Sequence, residues 1–254
     1  MHAVRQRLPL IAMLLCAFCS SAARAETFVL VHGAWGGGWT YQALDRLLTR
    51  QGHVVYRPTL TGLGERVHLA SPDITLDTHI QDVVNVILYE DLHDITLVGH
   101  SYGGMVVTGV ADRVPDRIAH LVYLDAVVPG DGESLLDIHR KRAGMLEKLT
   151  QEGFVRFPRD TRDYPPPKNV PQPLQTVTGP LHLQHQTPPA IPTTYILTVA
   201  EGQKPEDDDF APQAERARQR GWTLMQMTGD HNVQRTAPQA VAERLLEIAG
   251  QDGR

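Results

Sequence analysis

Cysteine is nearly absent from this 254-residue sequence, which contains only Cys16 and Cys19, both within the first 25 positions. Neither follows the small residue that a lipoprotein signal would place directly before its cysteine. The rest of the chain therefore has no thiol chemistry and no disulfide, which suits an oxidising compartment.

An excess of positive charge is also missing. The sequence has 24 Lys and Arg residues against 29 Asp and Glu residues, a formal net charge of −5. Removal of the first 25 residues would take away three arginines and no acid, which leaves 21 basic and 29 acidic residues and a net charge of −8. Nucleic-acid-binding domains show the opposite balance, so we expect no nucleic acid partner.

No apolar run near the start of the chain reaches the length of a membrane span. The run over residues 8–18 is shorter than the ~20 residues that a span needs. Arg5 and Arg7 precede it, and Ala23-Arg24-Ala25 places small residues where a signal peptidase reads. We predict that residues 1–25 are a cleaved signal peptide, and that the mature chain is exported to the periplasm or secreted without a membrane anchor.

Internal repeats are absent, and the remaining chain has a length typical of one α/β domain, predicted over residues 26–254. Apolar strands alternate with amphipathic helices, which indicates a mainly parallel six-stranded sheet with helices on both faces. Residues 127–190 differ from the rest of the chain in composition: residues 135–150 are predicted to be helical, and many prolines follow them. We predict that this segment forms a cap over the active site. The predicted strands are 28–31, 53–56, 95–98, 118–124, 195–199 and 223–227, and the principal helices are 41–50, 76–89 and 238–248.

The most informative motif is the pentapeptide from Gly99 to Gly103, Gly-His-Ser-Tyr-Gly, directly after an apolar strand and before a helix. In this context G-x-S-x-G forms a sharp turn that exposes the serine, because the two glycines let strand and helix pass closely. Ser101 is the predicted nucleophile.

A second motif follows the first predicted strand, where the chain reads His32-Gly-Ala-Trp-Gly-Gly-Gly. A glycine-rich loop at this position can point backbone N–H groups at the oxygen that becomes negative during attack on an ester carbonyl. We expect the oxyanion hole to comprise the N–H groups of Ala34 and of Tyr102, the residue after the nucleophile.

The general base is expected after the last strand, because this type of fold orders its triad as serine, acid and histidine. His231 lies there, in a polar turn beyond the strand 223–227. His100 and His120 fit packing roles better, and His32 is positioned to support the oxyanion loop.

Two carboxylates could orient His231. Asp125 follows the strand 118–124, and Glu201 follows the strand 195–199. We favour Asp125, because it comes directly from its strand, whereas Glu201 opens a polar stretch through Asp209 that is typical of a solvated loop. The choice between the two stays open at the level of sequence.

In these motifs the chain resembles the α/β-hydrolase superfamily, and within it the small esterases that include plant methyl esterases and hydroxynitrile lyases. The resemblance rests on residues 28–35, 99–104 and 229–232 and covers nearly all of the chain after position 25. It implies a Ser-His-acid triad with no cofactor and no metal. In the plant enzymes the acid lies where this chain has Glu201, whereas other superfamily members carry it where Asp125 stands.

The resemblance favours ester hydrolysis over lyase chemistry. The lyases of this group have a threonine where Gly33 stands and a lysine where Asn232 stands. We therefore expect a serine hydrolase that cleaves small carboxylic esters through an acyl-enzyme. The alternatives are a lactone hydrolase, a hydroxynitrile lyase and a ligand-binding protein of the same fold with slow turnover.

Overall fold

The computed structural model describes residues 25–185 and 190–250, so all but the last residue of the predicted signal peptide lies outside the described residues. Six parallel strands form the main sheet in the order β2-β1-β3-β4-β8-β9, which confirms the predicted architecture. The strands are β1 (Thr27–Val31), β2 (Val54–Tyr56), β3 (Ile95–His100), β4 (Ile118–Leu124), β8 (Thr193–Val199) and β9 (Thr223–Thr228).

Helices cover both faces of this sheet, as expected for a parallel sheet whose strands carry apolar side chains on both sides. One core cluster packs one face against helices α2, α3 and α7. The other cluster packs the opposite face against α1 and α9, whose Leu48 and Leu245 are fully buried. The helices are α1 (Gln42–Arg50), α2 (Leu76–Tyr89), α3 (Gly103–Arg113), α7 (Ala211–Gln219), α8 (Val233–Thr236) and α9 (Pro238–Ala249).

The segment between β4 and β8 contains short helices and a small antiparallel sheet in the order β5-β6-β7. The single helix predicted over residues 135–150 is wrong. Ser134 and Asp137 form a capping box that begins α4, but the backbone of His139 leaves the helical region at φ −105° and ψ 39° and ends it. The elements are α4 (Leu135–Ile138), α5 (Ala143–Leu149), β5 (Thr150–Gln151), β6 (Phe154–Val155), β7 (Gln172–Pro173) and α6 (Gln175–Thr178).

The register of the main sheet brings the carboxyl ends of β1, β3, β4, β8 and β9 to one edge. Val31 pairs with Gly99, His100 with Leu124, and Val199 with Thr228. The loops that follow β1, β3, β4 and β9 therefore meet at one edge, which is where ligands bind in parallel α/β sheets. Within the described residues, no helix has the length and apolar character needed to cross a bilayer.

Candidate active site

Ser101 lies on the tight turn between β3 and α3, with a φ of 55° in the left-handed region. A side chain at either flanking glycine would collide with the backbone. A Cβ on Gly99 would lie 2.8 Å from the carbonyl oxygen of Gly103, and a Cβ on Gly103 would lie 2.6 Å from that of Val31. The turn thus requires both glycines, and the strain at Ser101 is typical of a functional position.

His231 contacts both Ser101 and Asp125. Its Nε2 is 2.9 Å from the Ser101 Oγ, and its Nδ1 is 2.6 Å from the Asp125 Oδ2. Because the carboxylate only accepts hydrogen bonds, Nδ1 carries the proton in neutral His231 and Nε2 is free to accept from the serine hydroxyl. This is the arrangement in which an imidazole can take the proton of a serine.

Asp125 is held in place by a second contact. Its Oδ1 accepts a hydrogen bond from the Thr198 backbone N–H at 3.1 Å, and the residue is 1% exposed. Its φ of 46° is a left-handed conformation that Asp tolerates better than most residues. Glu201 is exposed and does not line the cavity at Ser101, so the carboxylate beside His231 is that of Asp125.

Two rings flank the imidazole of His231. Phe210 stacks on it with ring centroids 4.7 Å apart, and His100 lies at the same distance with a tilt of 38°. The His100 Nε2 donates to the backbone carbonyl of His231 at 2.6 Å, while its Nδ1 lies 3.4 Å from the Gln234 Nε2. Burial lowers the pKa of His100 to about 3, with a further contribution from His231, so His100 is a neutral packing group.

Ala34 and Tyr102 both line the cavity beside Ser101, and their backbone N–H groups have no hydrogen-bond acceptor among residues 25–185 and 190–250. The Tyr102 side chain is fixed, because its hydroxyl donates to the His79 Nδ1 at 2.9 Å. Burial raises the pKa of Tyr102 and lowers that of His79 to about 4, so both groups are neutral. Two free donors on a rigid wall are what an oxyanion hole requires.

The loop after β1 is fixed from both sides. The Leu60 N–H donates to the His32 Nε2 at 3.1 Å, so the His32 Nδ1 carries the proton and donates to the Gly33 carbonyl at 2.8 Å. Burial lowers the pKa of His32 to about 4. From the cap, the buried Gln172 accepts a hydrogen bond from the Trp35 N–H at 3.0 Å. The predicted support by His32 is present, and the cap contributes a second support.

A cavity of about 610 Å³ opens above Ser101 between the sheet edge and the cap. Its wall includes apolar cap side chains and the rings of Trp35 and Phe210. A cavity of this size, mostly apolar with a few convergent polar groups, suits a small organic ligand. The cap residues at this cavity are Leu135, Leu136, His139, Met145, Leu146 and Val177.

Comparisons with known proteins agree on the family. The alpha/beta hydrolase family profile matches residues 28–244. The carbendazim hydrolyzing esterase of Nocardioides sp. is 39% identical over 242 residues, which cover 87% of this chain and 98% of that enzyme. An extracellular alpha/beta-hydrolase from a Paenibacillus species, described as sharing structural and functional homology with tobacco salicylic acid binding protein 2, superposes with a TM-score of 0.74. It is 28% identical, and the match covers 88% of this chain and 98% of that chain.

The chain belongs to the alpha/beta hydrolase family. The predicted family resemblance and fold are thus confirmed. Methylesterase 2 of Arabidopsis thaliana matches this alpha/beta hydrolase less completely, at 30% identity over 138 residues that cover 54% of this chain and 51% of that enzyme.

Sequence reasoning missed several residues of this hydrolase's site. Asp207, Asp208 and Asp209 line the cavity; Asp207 and Asp209 are exposed, as expected of a solvated loop, whereas Asp208 is half-buried and burial raises its pKa. Phe210 and Gln172 had no motif to mark them, because their partners His231 and Trp35 are distant in sequence. The prolines in the cap were the one local signal near Gln172.

Proposed function

We propose that this protein hydrolyses small carboxylic esters, with Ser101 as nucleophile, His231 as general base and acid, and Asp125 as the carboxylate that orients His231. The N–H groups of Ala34 and Tyr102 form the oxyanion hole. The observation that carries this proposal is the unbroken contact chain from the Ser101 Oγ through His231 to Asp125. We further propose that the chain is exported after removal of residues 1–25.

Ester hydrolysis is the reaction class that the relatives support. The Nocardioides relative is named an esterase and matches along nearly its whole length. The Arabidopsis relative is named a methylesterase, and a further relative from Sphingobium wenxiniae, 35% identical over 106 residues, is named a pyrethroid hydrolase. Two of these three names state ester hydrolysis, and the third states hydrolysis.

The proposed reaction begins when the Ser101 Oγ attacks the ester carbonyl carbon and its proton passes to the His231 Nε2. The carbonyl oxygen becomes negative and accepts hydrogen bonds from Ala34 and Tyr102; one such donor is worth about 3 kcal/mol in the transition state. The tetrahedral intermediate then breaks its bond to the alcohol oxygen, which takes the proton from His231.

The acyl-enzyme is then hydrolysed. A water molecule gives its proton to the His231 Nε2 and attacks the same carbonyl carbon. The second tetrahedral intermediate then breaks its bond to the Ser101 Oγ, which takes the proton back from His231 as the carboxylic acid leaves. Asp125 keeps its charge throughout and stabilises the imidazolium form of His231. The Ser101 Oγ, the His231 ring and the Asp125 carboxylate used in these steps are already joined by hydrogen bonds.

Steady-state hydrolysis of short-chain p-nitrophenyl esters tests this proposal. The chain without residues 1–25 should complete many turnovers per molecule, and Ser101→Ala should abolish them. Ser71→Ala is the matched control, because Ser71 lies in the loop before α2, where its hydroxyl contacts Asp73. A single burst of one product per enzyme would instead favour a slow ligand-binding protein, and undiminished turnover by Ser101→Ala would refute the serine mechanism.

A further inference from the structure

A second cavity also reaches Ser101 and His231. It has a volume of about 820 Å³ and lies between the loop after β1, cap residues 157–169 and the end of the chain around α8. Ala34, Trp35, Ser101 and His231 line both cavities, so an ester bound at Ser101 can extend into each of them.

The two cavities differ in charge. The first is lined by Asp207, Asp208 and Asp209 besides Asp125, with no Lys or Arg in its described lining. The second is lined by Arg159, Lys168 and Arg235, with no Asp or Glu in its described lining. A positive wall is unexpected on a chain with a net charge of −5, so it requires a local explanation.

The cations of the second cavity are available to a ligand. Arg159 and Arg235 have no carboxylate partner among the described residues, and the Arg235 guanidinium lies over the Trp39 ring, 4.9 Å from its centroid. The Lys168 Nζ donates to a backbone carbonyl at 2.6 Å, which leaves its charge uncompensated. Of the neighbouring acids, Asp160 is paired with Arg162 and does not line the cavity.

The same cavity has an aromatic wall formed by Trp35, Trp39, Phe157 and Tyr164. Trp35 and Phe157 meet edge to face with centroids 5.7 Å apart, which leaves a ring-lined surface on which a flat ligand can stack. Polar groups in this wall are also unused. The Trp39 Nε1 and Gln234 Oε1 are the buried side-chain atoms without a hydrogen-bond partner in the described chain, and both residues line this cavity.

From these observations we propose that the second cavity is a substrate subsite for an aromatic, carboxylate-bearing half of the ester, while the first cavity holds the apolar half. Stacking on the rings positions the aromatic group, and Arg159, Lys168 and Arg235 attract the carboxylate. This subsite rests on the proposed ester hydrolysis for its role in turnover, but its preference for an aromatic carboxylate can be measured by binding alone.

The kinetic test uses two series of esters. The first places the charge on the alcohol half and compares phenyl acetate, 4-acetoxybenzoate and 4-acetoxy-N,N,N-trimethylanilinium. The second places it on the acyl half and compares phenyl benzoate with monophenyl terephthalate. Each variant is compared with wild type on the same ester, so differences in leaving-group reactivity cancel. We consider whichever carboxylate ester has the higher wild-type kcat/KM relative to its neutral analogue. The double variant Arg159→Gln/Arg235→Gln should lower kcat/KM for that ester about tenfold more than for the neutral analogue. That ratio corresponds to ~1.4 kcal/mol shared by two partly exposed charge pairs.

Arg50→Gln is the matched control, since Arg50 is an exposed arginine at the end of α1 outside the cavity lining. It should leave every ratio unchanged. The wild-type preference for the carboxylate esters should also fall as salt is raised, because the cations are screened. Equal effects of the double variant on charged and neutral esters, or a larger loss on the trimethylammonium ester than on the carboxylate esters, would overturn the proposed subsite.

Binding separates this inference from the proposed function. Quenching of tryptophan fluorescence should show that benzoate binds more tightly than benzamide to wild type, and that the difference is lost in Arg159→Gln/Arg235→Gln but kept in Arg50→Gln. A protein that turns over no ester yet keeps this preference would refute the esterase and support the subsite. A protein that turns over esters but binds benzoate and benzamide equally would support the esterase and refute the subsite.

Discussion

Replacement of Asp125 by Asn tests the site most directly. The carboxylate is 1% exposed and joins the His231 Nδ1 at 2.6 Å to the Thr198 N–H at 3.1 Å. In the Asn variant the amide oxygen can still accept from Thr198, but the amide nitrogen then faces Nδ1 as a donor. His231 then adopts the other tautomer, in which Nε2 carries the proton and cannot accept one from Ser101.

The expected loss is large. The same change in the serine protease precedent lowers kcat about 10⁴-fold, which corresponds to about 5 kcal/mol of transition-state stabilisation at ~1.36 kcal/mol per factor of ten. Asn is the right replacement here because it tolerates the left-handed φ of 46° at this position, so the fold should survive. The measurement is kcat and kcat/KM on p-nitrophenyl acetate, with urea unfolding of each variant to confirm its stability.

Glu201→Gln is the matched control for Asp125→Asn. It makes the same carboxylate-to-amide change at an exposed residue outside the cavity lining, and it should leave kcat within about twofold of wild type. If Asp125→Asn kept more than a tenth of the wild-type rate, or if Glu201→Gln caused the large loss, the assignment of the orienting acid to Asp125 would be wrong.

Three further predictions concern the turn, the buried histidines and the signal peptide. Gly103→Ala should lower the free energy of unfolding by about 1–3 kcal/mol in urea titrations, because its Cβ would lie 2.6 Å from a backbone oxygen, whereas Gly144→Ala, with open space around its Cβ, should not destabilise. Three buried histidines take up protons near pH 6.5 in the unfolded chain, but burial keeps them neutral in the folded chain at that pH. The stability that their neutral forms contribute is therefore fully present above pH 6.5 and is lost as the pH falls towards 4. At pH 5 each buried histidine lowers the free energy of unfolding by about 2 kcal/mol. In unfolding titrations His79→Gln should reduce the dependence of this free energy on pH, and His68→Gln, at an exposed histidine, should not. A urea midpoint that stays unchanged from pH 8 to pH 5 would refute the argument. Expression of the full chain in a bacterium should yield an exported protein whose N-terminal sequence starts after Ala25, and an intact N-terminus on the exported protein would contradict cleavage there. The histidines behind the pH slope are His32, His79 and His100.

Much of the fold was predictable because its signals are local. The alternation of apolar strands and amphipathic helices indicates a parallel sheet covered on both faces, and each predicted strand lies within about two residues of an observed one. The cap was harder to predict. The apolar pattern over residues 135–150 fits one helix, but the capping box at Ser134 starts a short helix that His139 ends.

The sequence by itself indicated the turn at Ser101, because the pentapeptide and the strand and helix around it are local patterns. The clash at Gly99 also arises within this local segment, from Gly103, whereas the clash at Gly103 comes from the backbone of Val31 on β1. The choice of carboxylate was not local. Asp125 and Glu201 both follow parallel strands, and only the packed sheet brings Asp125 onto His231 across 106 positions. The same holds for Gln172 on Trp35 across 137 positions and for the charge difference between the two cavities. Local sterics can be read from neighbouring residues, whereas contacts between distant segments exist only once the chain has folded.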